Sequence, residues 1–358
     1  MLFLKDCREP FIFGCGYLSC SFLLVWRFVR VGMLQSIIWL LTGRCNLNCK
    51  YCYASRFRGL KELSKNECLR IVREAGMLGV DHISFTGGEP FLRDDIFDLI
   101  VEAKNFDVYV TAVTNGFTMD EEKVRKLSRL DVFVYLSVDG EKKTHEMVRG
   151  KGSWRFVEEA INLFRKFGVE FATVTALNKQ NYVEVENLLK FSVDSGASYH
   201  CFIPIMPFGK ASWLDVLDRK EVLKFLRILE NSLEKVEATV DLWCMPFAER
   251  FVNSPNVYVN VCRGVNVMDI GVDGSILLCD VLDITLSNIK SKSLEKVWDE
   301  YKNHELVKKI SNPKLDKQCL LCPARFKCLG GCYARAYSMY SDFNKPDPLC
   351  PAVNNRKV

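Results

Sequence analysis

Three closely spaced cysteines near the start of the chain have the type and spacing needed to hold an iron–sulfur cluster. Cys45, Cys49 and Cys52 follow the pattern C-x3-C-x2-C, so three thiolates lie on one short loop. Three thiolates can bind three irons of a cubane [4Fe–4S] cluster and leave the fourth iron without a protein ligand. Structural zinc usually takes four protein ligands, and no fourth ligand is evident in this loop. The pattern therefore predicts an open iron–sulfur site, with a zinc knuckle or three unrelated thiols as the alternatives.

A second set of residues suited to ligand binding lies where later predicted strands end. Gly87 and Gly88 let a ligand approach the backbone closely, and Glu89 can accept charge-assisted hydrogen bonds from an ammonium group. The same Gly-Gly-Glu-Pro segment could equally be an ordinary turn. The other candidates at or after strand ends are Asn115, Ser137, Asp139 and Arg149.

The cysteine loop and these strand ends together resemble the radical S-adenosylmethionine (SAM) superfamily. The resemblance implies that SAM binds the open iron through its amino and carboxylate groups. Reductive cleavage of SAM would then yield a 5′-deoxyadenosyl radical that abstracts a hydrogen atom from the substrate. Ser137 and Arg149 would hold the SAM carboxylate, since a guanidinium suits that planar anion. For Asp139, a turn-forming Asp-Gly and a ligand contact are equally open. The expected cofactor-binding residues are Tyr51, Gly87, Gly88, Glu89, Asn115, Ser137 and Arg149.

Seven further cysteines lie in the last third of the chain at short, ligand-like spacings. Their order closely resembles the SPASM domain, the C-terminal extension of radical SAM enzymes that often modify peptides. A zinc ribbon shares the C-x2-C element and is the competing interpretation. The seven residues are Cys262, Cys279, Cys319, Cys322, Cys328, Cys332 and Cys350.

The SPASM resemblance implies that these cysteines hold one or two auxiliary iron–sulfur clusters. One cluster would use four of them and the other would use three, with Cys244 as the candidate fourth ligand. Without Cys244, an open iron there could bind substrate. Asp280 follows Cys279 directly, where the sulfatase-maturing branch has a proton-accepting aspartate, so it is the expected catalytic residue; a solvated loop carboxylate is the alternative. The implied ligand sets are Cys319, Cys322, Cys328 and Cys350, and Cys262, Cys279 and Cys332.

The elements that must position these motifs are strands that alternate with helices. Six short β-branched or aromatic runs are bounded by turn residues, which predicts buried strands, and helical spacing lies between them. Such repeats predict parallel strands with helices outside and chemistry at the C-terminal ends of the strands. Six units are too few to close an eight-stranded barrel, so we expect an α/β fold, a partial (β/α)6 TIM-like barrel, with a C-terminal Cys-rich domain. The expected strands are 37–41, 82–86, 108–114, 132–138, 169–176 and 199–205, and the expected helices are 65–78, 95–103, 121–128, 154–167, 182–195 and 219–236.

Residues 1–32 stand apart from this pattern. An uncharged, mostly apolar run spans 11–26, which is marginal beside the roughly 17–25 residues that a spanning helix needs. We expect 1–32 to be an N-terminal extension outside the fold, with a membrane-associated anchor as the alternative. The other expected divisions are 33–215 for the radical SAM barrel, 216–238 for a connecting helix and 239–358 for the SPASM domain.

Composition limits the partners and the compartment. A formal net charge of +5 on 358 residues is too small and too dispersed to indicate nucleic acid or an anionic membrane as the main partner. Disulfide-rich secreted scaffolds are usually short, so 16 clustered cysteines in a chain of this length favour metal ligation in a reducing cytoplasm. The expected partners are the substrate and an electron donor such as ferredoxin or flavodoxin.

These features together predict a cytoplasmic radical SAM enzyme that acts on a peptide or protein side chain. Within the same class, the alternative is a haem or tetrapyrrole biosynthesis enzyme that acts on a porphyrin carboxylate side chain. A non-catalytic iron–sulfur electron carrier is the alternative from another class. It would keep the cysteines but has no need of the Gly-Gly-Glu-Pro motif or of Ser137 and Arg149.

Overall fold

Eleven strands and twelve α-helices make up the part of the chain that the structure, a computed structural model, describes: residues 32–263 and 266–353. The strands are β1 (Ser36–Thr42), β2 (His82–Gly87), β3 (Tyr109–Thr114), β4 (Phe133–Ser137), β5 (Phe171–Leu177), β6 (His200–Pro204), β7 (Val240–Leu242), β8 (Val257–Val259), β9 (Val267–Ile270), β10 (Ser275–Leu277) and β11 (Thr285–Asn288). The helices are α1 (Lys65–Met77), α2 (Ile96–Lys104), α3 (Glu121–Arg129), α4 (Lys142–Arg149), α5 (Trp154–Phe167), α6 (Val185–Asp194), α7 (Arg219–Leu233), α8 (Leu294–Asn303), α9 (Glu305–Ser311), α10 (Lys317–Leu320), α11 (Arg325–Cys328) and α12 (Tyr333–Tyr340).

The helices of the barrel begin and end at residues that favour helix termini. Helix α1 begins at a capping box, in which the Ser64 side chain and the Glu67 side chain each bind the other residue's backbone N–H. Helix α5 ends at Gly168, whose φ of 66° is left-handed and suits a residue without a Cβ. All six expected strands and all six expected helices are present, and no end differs by more than three residues. Helix α4 was not expected, because its eight residues are too few to display helical periodicity clearly.

Strands β1 to β6 are parallel neighbours in chain order, which confirms the predicted α/β fold class. Alternate residues of each strand face opposite sides of the sheet. One side packs against the helices in the main core, which includes Trp39, Phe85 and Phe164. The other side carries a smaller cluster that includes Tyr135 and Tyr199, whose hydroxyls bond each other at 2.9 Å. The interior of the partial barrel is thus partly lined with aromatic side chains.

Short strands from the C-terminal third extend this sheet at both ends. Strands β7 and β8 continue it beyond β6 in parallel, while β9 lies beside β1, also in parallel, with Ile37 opposite Met268. Strands β10 and β11 add an antiparallel hairpin next to β9. Hydrogen bonds of one sheet therefore cross the division expected between residues 238 and 239. Sequence periodicity could not reveal strands of three or four residues, because so short a run shows no clear alternation.

No helix within residues 32–263 and 266–353 is long and apolar enough to cross a membrane. The expected N-terminal extension, residues 1–32, lies outside the described residues except for Gly32.

Candidate active site

The loop that follows β1, residues 43–52, holds the three predicted ligands of the SAM-binding cluster; we call it the cysteine loop. Cys45, Cys49 and Cys52 are partly buried free thiols, and burial raises the pKa of each. The Leu47 N–H lies 3.5 Å from the Cys45 sulfur. The Lys50 N–H donates to a carbonyl of α4 at 3.0 Å, which fixes the loop against that helix. Three thiols on one anchored loop fit the three protein ligands of an open cubane cluster.

Gly87 and Gly88 lie directly against the cysteine loop. The Gly88 N–H donates to the Thr42 carbonyl, and the next N–H donates to the Arg44 carbonyl, both at 2.8 Å. A Cβ at Gly88 would lie 2.0 Å from the Arg44 oxygen, and one at Gly87 would lie 2.6 Å from the Thr42 oxygen. Gly87 also has a φ of +118°, where side chains are strained. The two glycines were expected to let a ligand approach the backbone. The structure gives a different reason for them: a side chain at either position would collide with the segment that leads into the cysteine loop.

Glu89 is a fully buried carboxylate at the centre of the site. It accepts hydrogen bonds from the Thr114 hydroxyl at 3.0 Å, the Asn115 N–H at 2.8 Å and the Phe91 N–H at 3.3 Å. Burial raises its pKa to about 7, although these hydrogen bonds oppose the rise. No lysine or arginine among the described residues forms an ion pair with it. A buried carboxylate without a cation is costly, so this environment suits a ligand that brings a protonated or metal-bound amino group.

Asn115 connects Glu89 to the cysteine loop. Its side-chain NH2 donates to the Asn46 amide oxygen at 3.0 Å and lies 3.8 Å from the Cys45 sulfur. Ser137, another predicted SAM contact, is buried at the C-terminal end of β4. The predicted polar residues at the ends of β2 and β3 are thus brought together at one edge of the sheet, beside the cysteines.

Arg149 lies at the end of α4 and forms an ion pair with Asp139, whose side chain is fully buried. The bond uses the Nε of Arg149, so the two terminal nitrogens of the guanidinium are not part of it. The other Asp139 oxygen accepts the Ala176 N–H at 2.7 Å. Asp139 is therefore not merely a turn residue; it orients Arg149. The Arg149 charge also opposes the rise in pKa of the Cys49 thiol, so the guanidinium lies near the cysteine loop.

Tyr51 lines an open depression together with Lys50, Val148 and Gln180. Its hydroxyl is buried and has no hydrogen-bond partner in the described structure. A buried polar atom without a partner is uncommon and often marks a place where a ligand or water binds. The position is therefore suited to the cofactor contact that was predicted for it.

Asp280 lies beside the cysteine loop, not free in solvent. The Tyr53 hydroxyl donates to the Asp280 carboxylate at 2.8 Å, and Tyr53 follows the cluster ligand Cys52 directly. Arg56 donates to the Asp280 backbone carbonyl at 2.5 Å. Burial raises the pKa of Asp280, and the hydrogen bond from Tyr53 and the charge of Arg56 oppose that rise. The alternative of a solvated loop carboxylate is wrong, since this carboxylate is partly buried and hydrogen-bonded.

Tyr53 and Arg56 were not anticipated as site residues. They belong to the 3-10 helix Tyr53–Phe57, and their contacts in the Asp280 segment lie more than 220 residues away along the chain. Arg56 also donates to the Leu282 carbonyl at 3.1 Å. No local sequence signal marks such a contact, because it depends on the pairing of β9 with β1.

Four of the C-terminal cysteines line a single pocket that is partly open to solvent. Burial raises the pKa of the Cys328 and Cys350 thiols to about 12. Cys319 and Cys322 belong to the same lining, as does Gly330. These are the four residues implied as ligands of one auxiliary cluster, and a cavity lined by four thiols fits a fully coordinated cubane.

The other implied ligands also lie close to one another. Burial raises the pKa of Cys279 far above its usual value, and the neighbouring groups Asp280, Asp269, Cys262 and Cys332 raise it further. Thiols and carboxylates gathered in this way suit a metal centre, since a bound metal stabilises their ionised forms. The structure thus brings Cys262, Cys279 and Cys332 to one place, as the ligand set requires.

Comparisons with known proteins agree with this geometry. Residues 39–192 match the Radical SAM superfamily, and residues 262–323 match SPASM, an iron–sulfur cluster-binding domain. The chain is 26% identical over 337 residues to an AdoMet-dependent heme synthase of Methanosarcina barkeri, covering 88% of this chain and 95% of that protein; AdoMet is SAM. It is 28% identical over 335 residues to a cysteine-type anaerobic sulfatase-maturating enzyme of Clostridium perfringens, covering 80% and 85%. The structure of native anSMEcpe with bound AdoMet and Cp18Cys peptide superposes with a TM-score of 0.73 at 24% identity, covering 89% and 94%.

The chain is therefore a radical SAM enzyme. More narrowly, it carries a SPASM domain after the radical SAM domain, and its relatives include both a sulfatase-maturating enzyme and a heme synthase. SAM, a [4Fe–4S] cluster and auxiliary iron–sulfur clusters are its cofactors.

Proposed function

We propose that the enzyme oxidises a side chain of a peptide or protein, with Asp280 as the proton acceptor. One observation supports this above all: Tyr53 holds the Asp280 carboxylate at 2.8 Å, next to the cysteine loop. A base is useful where an alcohol or thiol side chain is oxidised, because the heteroatom must lose its proton as the double bond to carbon forms.

We assign the cofactors as follows. Cys45, Cys49 and Cys52 hold the cluster that binds SAM, because their thiols lie on one anchored loop. Glu89 binds the SAM amino group, since its carboxylate is fully buried and forms no ion pair with a lysine or arginine of the described residues. Arg149 binds the SAM carboxylate through its two terminal guanidinium nitrogens, because its ion pair with Asp139 uses only Nε. Tyr51, Gly87, Gly88, Asn115 and Ser137 complete the expected cofactor contacts.

When bound, SAM and the clusters supply the radical that removes a hydrogen atom from the substrate carbon and the acceptor for the electron that remains. The chain itself supplies the proton acceptor. Asp280 takes the proton from the adjoining oxygen or sulfur, and a carbon–heteroatom double bond forms. The substrate thus loses one hydrogen atom, one proton and one electron, which together equal two hydrogens. Tyr53 orients the carboxylate by its hydrogen bond and does not itself transfer a proton in this scheme.

The second candidate is oxidative decarboxylation of a porphyrin carboxylate side chain, which the likeness to a heme synthase favours. In that reaction the side chain loses a hydrogen atom, the carbon–carbon bond to the carboxylate breaks to release carbon dioxide, one electron is removed, and a carbon–carbon double bond forms. No heteroatom is deprotonated, so the reaction has no need of Asp280. The two functions therefore differ in how they depend on that residue.

We further propose a cytoplasmic location and a protein electron donor such as ferredoxin or flavodoxin. The thirteen cysteines within the described residues are free thiols, which suits a reducing compartment. Reductive cleavage of SAM consumes one electron at each event, so a low-potential donor is required.

The test uses anaerobically reconstituted enzyme with dithionite, SAM and two probes: a synthetic peptide with a central cysteine or serine, and iron-coproporphyrin III. We expect the peptide to increase 5′-deoxyadenosine formation and to lose about two mass units, as removal of two hydrogens requires. Asp280→Asn should abolish the mass change but leave formation of 5′-deoxyadenosine, because hydrogen abstraction precedes deprotonation. The exposed carboxylate Asp283 provides the matched control, Asp283→Asn, which should behave as the native enzyme does.

Three results would contradict the proposal. Stimulation and carbon dioxide release with the porphyrin alone would select the second candidate. Full peptide oxidation by Asp280→Asn would remove the residue from the reaction. Equal formation of 5′-deoxyadenosine by native enzyme and by Cys49→Ala would show that the cysteine loop does not hold the SAM-binding cluster.

A further inference from the structure

Cys244 has a backbone conformation that is rare for a residue with a side chain. Its φ is +56°, in the left-handed region, and it stands between β7 and the 3-10 helix Pro246–Arg250. Glycine or asparagine is the usual choice there, because a Cβ crowds the following carbonyl. Strained conformations of this kind persist where surrounding contacts impose them, and they are concentrated at functional sites.

A buried ion pair contacts the backbone of this residue. Arg335, on α12, donates to the Cys244 carbonyl and forms a two-bond ion pair with Asp347, with distances of 3.0 and 2.7 Å. Both charged side chains are fully buried. Burying two charges is costly and gives little net stability, so such a pair calls for another reason.

The same ion pair also holds Cys332. The Cys332 N–H donates to the Asp347 carboxylate at 2.8 Å, the carboxylate that pairs with Arg335. Gly331 leaves room for this arrangement, since a Cβ there would lie 2.2 Å from the Asp347 Cβ. One buried network thus fixes the backbone of two cysteines that are 88 residues apart, Cys244 and Cys332.

Contacts of neighbouring residues tie the other two cysteines to Cys332. Arg263, which follows Cys262, donates to the Gly331 carbonyl at 2.8 Å. The Tyr333 hydroxyl donates at 3.0 Å to the carbonyl of Leu278, which precedes Cys279. Four cysteines therefore lie in one region, to which the sequence pattern alone assigns three ligands.

We infer that Cys244 is the fourth ligand of the auxiliary cluster held by Cys262, Cys279 and Cys332. This rests on the proposed function only in so far as a cubane cluster occupies these cysteines. Four thiolates saturate a cubane, so no iron of this cluster is left to coordinate the substrate. The substrate is then held by groups of the protein, and the auxiliary cluster exchanges electrons or supports the fold.

The experiment separates the auxiliary clusters from the SAM-binding one. In a full-length parent with Cys45, Cys49 and Cys52 replaced by alanine, two auxiliary cubanes would give about eight irons per chain. Iron content, the EPR spectrum of the reduced protein and its reduction potential are measured, each with and without ¹³C-labelled cyanide. Cyanide is the probe because it binds an iron that lacks a protein ligand.

We expect the parent to show no cyanide coupling. Adding Cys244→Ala should either lower the iron content to about four per chain or give a cluster that couples to cyanide. Cys68→Ala serves as the matched control: Cys68 is a fully buried thiol on α1, and its loss should leave iron, spectrum and potential as in the parent. If Cys244→Ala fails to fold, Cys244→Ser, which keeps the size of the side chain, should still shift the potential or lose the cluster.

Cyanide coupling in the parent would overturn the inference, since an iron would already be open. Unchanged iron, spectrum and potential in Cys244→Ala, or an unchanged potential in Cys244→Ser, would overturn it as well. A parent with only about four irons per chain would hold a single auxiliary cubane, and the inference, which assumes two, would fail. Cleavage of SAM by the native enzyme, measured separately, tests the proposed function independently of all these results.

Discussion

The replacement of Glu89 by glutamine tests how the site recognises SAM. The carboxylate has about four positions at which it can accept a hydrogen bond, and protein donors take three. Glutamine offers one oxygen and one NH2 group. If its oxygen keeps the bonds to Phe91 and Thr114, its NH2 must face the Asn115 N–H, so a donor meets a donor. In the native enzyme, the Glu89 oxygen that accepts the Asn115 N–H accepts only that bond. It is therefore also the oxygen with acceptor capacity left for the SAM amino group.

The size of the effect follows from this geometry. A hydrogen bond between charged groups contributes about 1.5–3 kcal/mol, and the substitution removes it. At about 1.4 kcal/mol for each factor of ten, the SAM dissociation constant should rise by about one to two orders of magnitude. The cysteines are untouched, so the iron content should not change.

The pH dependence provides a second, independent measurement. Because burial raises the pKa of Glu89 to about 7, the free enzyme holds this carboxyl protonated below that pH. Protonation stabilises the folded chain at low pH, and this contribution is lost as the pH rises through about 7. Only the ionised form pairs with the amino group, so SAM affinity should fall below pH 7, by up to about tenfold per pH unit. Glu89→Gln should lack this decline.

Equilibrium dialysis of labelled SAM, under anaerobic conditions from pH 6 to 8.5, measures both effects. The exposed Glu122 on α3 supplies the control substitution, Glu122→Gln, which should bind SAM as the native enzyme does. An unchanged dissociation constant for Glu89→Gln would refute the reasoning and reduce the Gly-Gly-Glu-Pro segment to a turn. Weak binding accompanied by lost iron would show instead that Glu89 supports the cysteine loop.

Three further predictions concern the frame around the site. Gly88→Ala places a Cβ 2.0 Å from the Arg44 carbonyl, so the cysteine loop must move, and iron analysis should show loss of up to about four irons per chain. Asp139→Asn leaves the buried charge of Arg149 without its partner, and chemical denaturation should show a loss of about 3–5 kcal/mol; an unchanged unfolding free energy would mean that the ion pair has no structural role. A chain that starts at Met33 should fold and bind iron as the full chain does, as gel filtration and iron analysis would show; aggregation of the shortened chain would assign residues 1–32 to the fold.

The parts of the fold that could be predicted are those that local sequence determines. Strands β1 to β6 are five to seven residues long, largely buried and bounded by turn residues, so their runs stand out. The cysteines stand out because thiolate spacing is dictated by the cluster. The glycines at 87 and 88 were recognised as special, but only the structure gave the reason that a side chain there would strike the cysteine loop.

The parts that could not be predicted depend on contacts between distant segments. Asp280 could be noted beside Cys279, but its bond to Tyr53 joins residues 227 apart in sequence. The network of Arg335 and Asp347 is equally hidden, since each looks like an ordinary charged surface residue in sequence. Burial decides the role of such residues, and burial is a property of the complete fold.

The parallel pairing of β9 with β1 also affects how the protein is made. Ile37 lies opposite Met268, so 231 residues of chain separate the two partners (268 − 37 = 231). At a synthesis rate of about 5–20 residues per second, the edge of β1 stays unpaired for roughly 10–50 s after it is made. An unpaired strand edge is a template for association with other chains. The first strand of the sheet to be synthesised is thus exposed until most of the protein exists, and its protection during that interval falls to chaperones or to a low concentration of unfinished chains.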